Sequence, residues 1–318
     1  MKNKQLSLSK NEVNSVFALY SNGRFQIAID EIKTLNEKYP NEPLLFNLIG
    51  ACYKELGQLQ GAAKMFEIAI SINPNYAEAH FNLGVMHQAL DHLELAVESY
   101  SKAIVITPNY PDAYNNLGTV LYDLGRLESS IENLEWAIAY KHDFSEAHCN
   151  LGRSLNDYGR VDAAIKSFKE AIVHKPNYAK AYFNLALSFK DIGDKEGFLK
   201  NIEKTLDIKP EWGAANFHLS QVKKFKKNDP KIAKMHSLID KANLDMTDRI
   251  NLNFALAKIY EDTGNHNEQF KFLEEGNSLR KKELNYSIER DIKLFSRIKE
   301  AFNPPPLALK KVSSKVDT

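Results

Sequence analysis

An all-α solenoid is what this sequence predicts, on three observations. Asn75-Tyr76-Ala77-Glu78-Ala79-His80-Phe81-Asn82-Leu83-Gly84 returns in degenerate form every 34 residues, as Asn109-Tyr110-Pro111-Asp112-Ala113-Tyr114-Asn115-Asn116-Leu117-Gly118, then Phe144 to Gly152, then Asn177 to Ala186. Small residues recur on the same beat: Gly50, Gly84, Gly118, Gly152 and Ala186, with Gly57, Asp91, Gly125, Gly159 and Gly193 seven places later. Prolines punctuate the pattern at Pro40, Pro74, Pro108, Pro176 and Pro210, with His142 filling the vacant slot. A fixed period of this size marks units too small to bury their own apolar face, which must stack on their neighbours.

Each unit reads as two helices. Apolar residues at spacings of three and four give the helical face, and the later glycine of each unit supplies the positive φ that ends the first helix. Ala28, Ala62, Ala96, Ser130 and Ala164, then Ala69, Ala103, Ala137 and Ala171, let the helix axes approach. Phe66, Tyr100, Leu134 and Phe168 fill the grooves beside them. Proline stops the second helix, because it lacks an N–H and drives its predecessor toward extended geometry. Glu78, Asp112 and Glu146 stand in the first turn of the next helix, where the dipole favours acids.

The expected organisation is a short N-terminal tail over residues 1–8, a repeat array over 9–222 with strong units in 43–212, and an irregular part over 223–302. Residues 9–42 form a worn first unit. Lys223-Lys224-Phe225-Lys226-Lys227-Asn228-Asp229-Pro230 interrupts the array with charge and a breaker, and a degenerate unit resumes from Arg249 to Glu283. Leu284, Ile288, Ile292, Phe295, Ile298 and Phe302 then make an apolar stripe, read as a closing helix that covers the last repeat. Residues 303–318, opening on Asn303-Pro304-Pro305-Pro306, are expected to be a flexible tail.

Net charge of +1, with 26% charged residues, supplies no overall field for nucleic acid or an anionic membrane. No window approaches the roughly 20 apolar residues of a spanning helix, and the expectation is a soluble, cytoplasmic protein. Cys52 and Cys149 fit neither metal nor redox spacings and read as reduced structural thiols. His148 and Cys149 are adjacent, so on a helix they point about 100° apart and do not form a catalytic pair. There is no phosphate loop, no Cys-x-x-Cys and no His-Glu-x-x-His, so no cofactor, metal or catalytic residue is expected.

The frame of small, aromatic and proline positions resembles the tetratricopeptide repeat, a helix-turn-helix of 34 residues. The resemblance implies a right-handed superhelix of about seven hairpins with a C-terminal capping helix, its first helices lining a concave surface. It also gives meaning to Asn82, Asn116, Asn150 and Asn184, one per unit at the same place: similar asparagine ladders in the superhelix of O-linked N-acetylglucosamine transferases hold the backbone of an extended peptide. An amide offers a donor and an acceptor, matching alternate N–H and C=O groups without selecting side chains. Four net bonds of ~0.5–1.5 kcal/mol would supply weak, millimolar-class binding.

By the same resemblance the groove would be shared by Glu78, Asp112, Glu146, Lys180, Phe81, Cys149, Phe183, Arg153, Tyr122 and Lys190. Three acids in succession favour a basic or neutral peptide over an acidic one. The alternatives are that the asparagines are consensus residues on a solvated face, and that the acids serve only the helix dipole. The expected function is a non-catalytic scaffold for a peptide or partner protein, with no nucleic-acid, membrane or metal partner.

A second, narrower resemblance covers about 70 residues: Phe254 to Gly264, Phe272 to Lys282, Tyr286 and Phe295 look like the linker that joins such repeats to a bacterial sulfotransferase domain. The phosphate-binding loop that follows in that family is absent from these 318 residues. The other functional reading is therefore the substrate-recruiting part of such an enzyme, with its catalytic domain outside this sequence.

Overall fold

The computed structural model describes residues 8–302, and among them the backbone forms seventeen helices and no strand. The parts of the expected tails at residues 1–7 and 303–318 lie outside the described residues. Two compact units divide the chain, Met1–Asn201 and Ile202–Thr318, with the boundary inside α12 (Lys195–Ile208).

In the first unit the 34-residue beat becomes helical hairpins: α1 (Lys10–Ser21) with α2 (Phe25–Lys38), α3 (Pro43–Glu55) with α4 (Leu59–Ile72), and α5 (Ala77–Ala89) with α6 (Leu93–Ile106). They continue as α7 (Pro111–Asp123) with α8 (Leu127–Tyr140), then α9 (Ser145–Asp157) with α10 (Val161–His174), followed by α11 (Ala179–Asp191). The two recurrent glycines do different work. Gly152 has ordinary helical φ but carries Phe168 against its Cα, and a Cβ there would fall 2.5 Å from Phe168 Cε1. Gly50 under Phe66, Gly84 under Tyr100 and Gly118 under Leu134 repeat the arrangement at 2.6–2.7 Å. Gly159, seven places on, has open space around it and φ +88°, closing α9 with a bond from Arg160 N to Leu155 O of 2.8 Å. Asp91 holds the same turn without glycine, at φ +60°.

Ala28, Ala62, Ala96 and Ala164 are fully buried at the hairpin crossings. Ser130 replaces alanine in this series, and its hydroxyl donates to Gly118 O at 2.7 Å and meets Ser154 Oγ at 2.8 Å, which satisfies it inside the core. Each second helix ends two residues before its proline, as in α4 at Ile72 before Pro74. Successive first helices touch: α3 with α5, α5 with α7, α7 with α9, and α9 with α11. No comparable contact joins successive second helices from α2 to α10. The stack within this unit therefore curves with its first helices on the inner side.

In the second unit α15 (Met246–Asp262) and α16 (His266–Glu283) form a longer hairpin that turns at Gly264, φ +72°, and α13 (Gly213–Val222) packs on α15. Two corrections to the sequence reading fall here. Asp229-Pro230 starts a helix rather than only interrupting one: Asp229 accepts from Lys231 N as the N-cap of α14 (Pro230–Ile239), whose Ile232, Met235 and Leu238 are buried. The stripe expected to cover the last repeat does form a helix, α17 (Ile288–Ala301), but none of its residues is buried. Ile292 is 59% and Phe295 67% exposed, so the cap is not made.

Candidate functional site

The four ladder asparagines are half-buried on the first helices of the first unit, at the seam between one repeat and the next. All four donate across that seam, three of them to the preceding first helix. Asn82 Nδ2 donates to Asn47 Oδ1 at 3.0 Å, Asn150 Nδ2 to Asn115 Oδ1 at 3.0 Å and Thr119 Oγ1 at 3.2 Å, and Asn184 Nδ2 points to Cys149 Sγ at 3.6 Å. Thr119 aside, these acceptors lie one place before the ladder position in the preceding unit. In Asn116's case that place is Phe81, which accepts nothing, so Asn116 Nδ2 turns to Tyr100 OH at 3.4 Å.

The orientation of these amides is fixed by their neighbours. Asn47 Nδ2 donates to Glu78 Oε1 at 3.3 Å, so its oxygen is what remains for Asn82. Tyr100 OH donates to Gln88 Oε1 at 3.0 Å and so accepts from Asn116, whose Oδ1 accepts from Asn115 Nδ2 at 3.2 Å. A directed chain thus runs Asn150, Asn115, Asn116, Tyr100, Gln88 through three repeats, and burial of Tyr100 pushes its phenol pKa up. Such chains rigidify because each bond polarises the next.

Part of each rung's hydrogen-bonding capacity is committed within the protein. One N–H of Asn82 and of Asn184, and both N–H groups of Asn150, are spent on stacking. Asn82, Asn150 and Asn184 retain Oδ1, and none of these oxygens is among the buried side-chain atoms without a partner. The three rungs thus share a remaining acceptor, and Asn82 and Asn184 keep a second N–H besides.

The other expected groove residues divide. Asp112 and Lys180 are exposed. Glu78 is exposed but engaged by Asn47. Glu146 pairs with Lys175 at 2.7 Å, and that bond lowers its carboxyl pKa. Phe81 is half-buried, its ring 5.0 Å from Tyr110 and 5.7 Å from Tyr100. Arg153 lies 4.4 Å over the ring of Tyr122, whose hydroxyl donates to Asp157 Oδ2. Cys149 does not share the groove: it is fully buried, as is Cys52, and burial raises both thiol pKa values.

Sequence reading missed the ladder's partners, Asn47, Asn115 and Thr119. Asparagine at the preceding place was the available signal, but Phe81 and Cys149 occupy it in alternate units and hide the beat. His80 and His148 also gain a role: each ring reaches back to the loop, Nε2 to Pro74 O at 3.0 Å and to His142 O at 2.9 Å. Among the described residues no cluster of His, Cys, Asp and Glu fits a metal, and no helix is long and apolar enough to cross a membrane.

No curated protein sequence matches the chain. Among solved structures, YrrB, whose structure is described as a TPR protein with an unusual peptide-binding site, is 20% identical, with TM-score 0.52 over 60% of this chain and 97% of its own. PilF from Pseudomonas aeruginosa is 18% identical, with TM-score 0.54 over 71% of this chain and 95% of its own. MamA is 25% identical over 51% of this chain and 95% of its own, with TM-score 0.48. At these identities YrrB and PilF share the fold. A family model described as TPR repeat matches residues 50–91, 92–125 and 152–193. Two models described as tetratricopeptide repeat match residues 112–139 and, for the other, 179–211 and 250–283. These matches together take in more than half of the residues, with the hairpins and their glycine positions in register: the chain belongs to the tetratricopeptide repeat proteins.

Proposed function

We propose that this protein is a non-catalytic interaction scaffold that holds an extended peptide along the first helices of residues 43–191. The observation that carries the proposal is the cross-repeat bonding of Asn82, Asn150 and Asn184, which aims one amide per unit and leaves its oxygen as an acceptor. An extended chain presents outward N–H groups on alternate residues, and the oxygen common to the three rungs takes those N–H donors. Glu78 and Asp112 add negative charge beside it, while Glu146 is matched by Lys175, so the preferred peptide is neutral to mildly basic. Solved structures of the same fold include YrrB, described by its peptide-binding site, which agrees with this reading.

Selection from a displayed library of random 12-residue peptides tests it. Enriched sequences should lose at least tenfold affinity when alternate backbone nitrogens in the bound segment are methylated. Affinity insensitive to methylation at every position would sink the ladder as the binding device. Alanine at Asn150 is a poorer probe, because it also removes the bonds to Asn115 and Thr119 that tie α9 to α7.

A further inference from the structure

A second exposed surface lies on α8 and the adjoining face of α7. Glu128, Glu132, Trp136 and Tyr140 follow one another at i, i+4, i+8 and i+12 along α8, and all four are exposed. Trp136 is 48% and Tyr140 43% exposed, an unusual state for large aromatic rings, and Tyr114 of α7 joins them. The three rings lie nearly parallel: Trp136 to Tyr140 5.9 Å at 25°, Tyr114 to Tyr140 5.7 Å at 28°, Tyr114 to Trp136 6.5 Å at 32°. The equivalent places one unit later hold His148 and His174, also stacked, at 5.5 Å, but glutamate, Glu170, stands where Trp136 does. The aromatic platform is therefore particular to this repeat and not demanded by the hairpin.

We propose that this stripe docks the chain's own segment 303–312, Asn303-Pro304-Pro305-Pro306-Leu307-Ala308-Leu309-Lys310-Lys311-Val312, presented by a second copy. Flat exposed aromatic rings are the surface on which proline-rich segments bind, since the proline ring is apolar and its backbone carries no N–H to be stranded. Charge sets the direction. Lys141 follows Tyr140 at the aromatic end, while Glu132 at the other end has no side-chain partner among the described bonds and Glu128 holds only the hydroxyl of Tyr158, at 2.6 Å. Prolines on Trp136 and Tyr140 thus place the lysines over the acids. Spacing agrees: Tyr140 to Glu132 spans about 12 Å along a helix, and Pro306 to Lys310 about 12 Å in polyproline geometry.

The test uses the full chain and a fluorescently labelled synthetic peptide of residues 303–312, followed by polarisation. Saturable binding is expected, weakened at least tenfold by Trp136→Ala or Glu132→Lys. A peptide with Lys310 and Lys311 replaced by Glu should bind Glu132→Lys better than it binds the natural protein. The exposed positions of both residues make these variants fold normally, which circular dichroism checks. In the full chain, Pro304→Ala with Pro305→Ala and Pro306→Ala should reduce self-association in sedimentation. Absence of peptide binding up to millimolar concentration overturns the proposal. So does binding that survives Trp136→Ala, or that survives replacement of all three prolines in the peptide, which would reduce the site to nonspecific charge. A negative result here leaves the ladder on the first helices untouched, because no residue is shared.

Discussion

Gly152→Ala puts the packing logic of the hairpin to a quantitative test. On helix propensity alone the change is favourable by about 1 kcal/mol, since glycine inside a helix is the costlier residue. The structure demands the opposite sign. The new methyl would lie 2.5 Å from Phe168 Cε1, 2.7 Å from Cδ1 and 2.8 Å from Cζ, so the whole ring edge must retreat by about 1 Å to reach ordinary contact. Phe168 is 1% exposed and shares its cluster with Leu151, Ala164 and Ile165, which leaves it no vacant side to enter. Overpacking of this kind costs about 1–3 kcal/mol, so the net expectation is destabilisation of up to about 2 kcal/mol. Urea unfolding followed by circular dichroism measures it, with Gly152→Ala/Phe168→Ile as the companion that removes the ring and recovers part of the loss. A Gly152→Ala protein more stable than its parent would show that the close approach is not what keeps glycine at this place.

Three further outcomes follow from separate features. Asp91→Gly should raise the melting temperature, by about 0.5–1 kcal/mol in stability, because a non-glycine residue is held at φ +60° and its side chain makes no bond among the described residues that the change would lose. Glu12 accepts from Lys38 and Ser9, and these bonds hold its carboxyl at about 2 against an ordinary 4.5. The folded value is the lower one, so the contribution is complete above about pH 4.5 and fades as pH falls toward 2; the stability gap between the parent and Glu12→Gln, read from urea midpoints, should be constant at neutral pH and shrink in that window. Ile292→Lys with Phe295→Lys should leave the thermal midpoint unchanged, since both side chains are exposed, whereas a capping helix would lose several kcal/mol; a lowered midpoint would mean that α17 covers apolar surface after all.

Residue types at a 34-residue period settled the fold from the sequence, because hairpin packing is local and repeats itself: the glycine under Phe168 and the turn at Gly159 are each readable within one unit. The ladder Asn82, Asn116, Asn150 and Asn184 was legible for the same reason. What each amide does was not, because its partner lies in another unit and the partner place alternates among Asn47, Phe81, Asn115 and Cys149. Hydrogen-bond direction is decided by the group at the far end of the chain, as Glu78 decides Asn47 and Gln88 decides Tyr100, and no spacing rule carries that information. The stripe of α17 shows the converse limit. Periodicity establishes that Ile288, Ile292 and Phe295 share a face, but burial is a property of two surfaces, and only the tertiary structure says whether the second one is there.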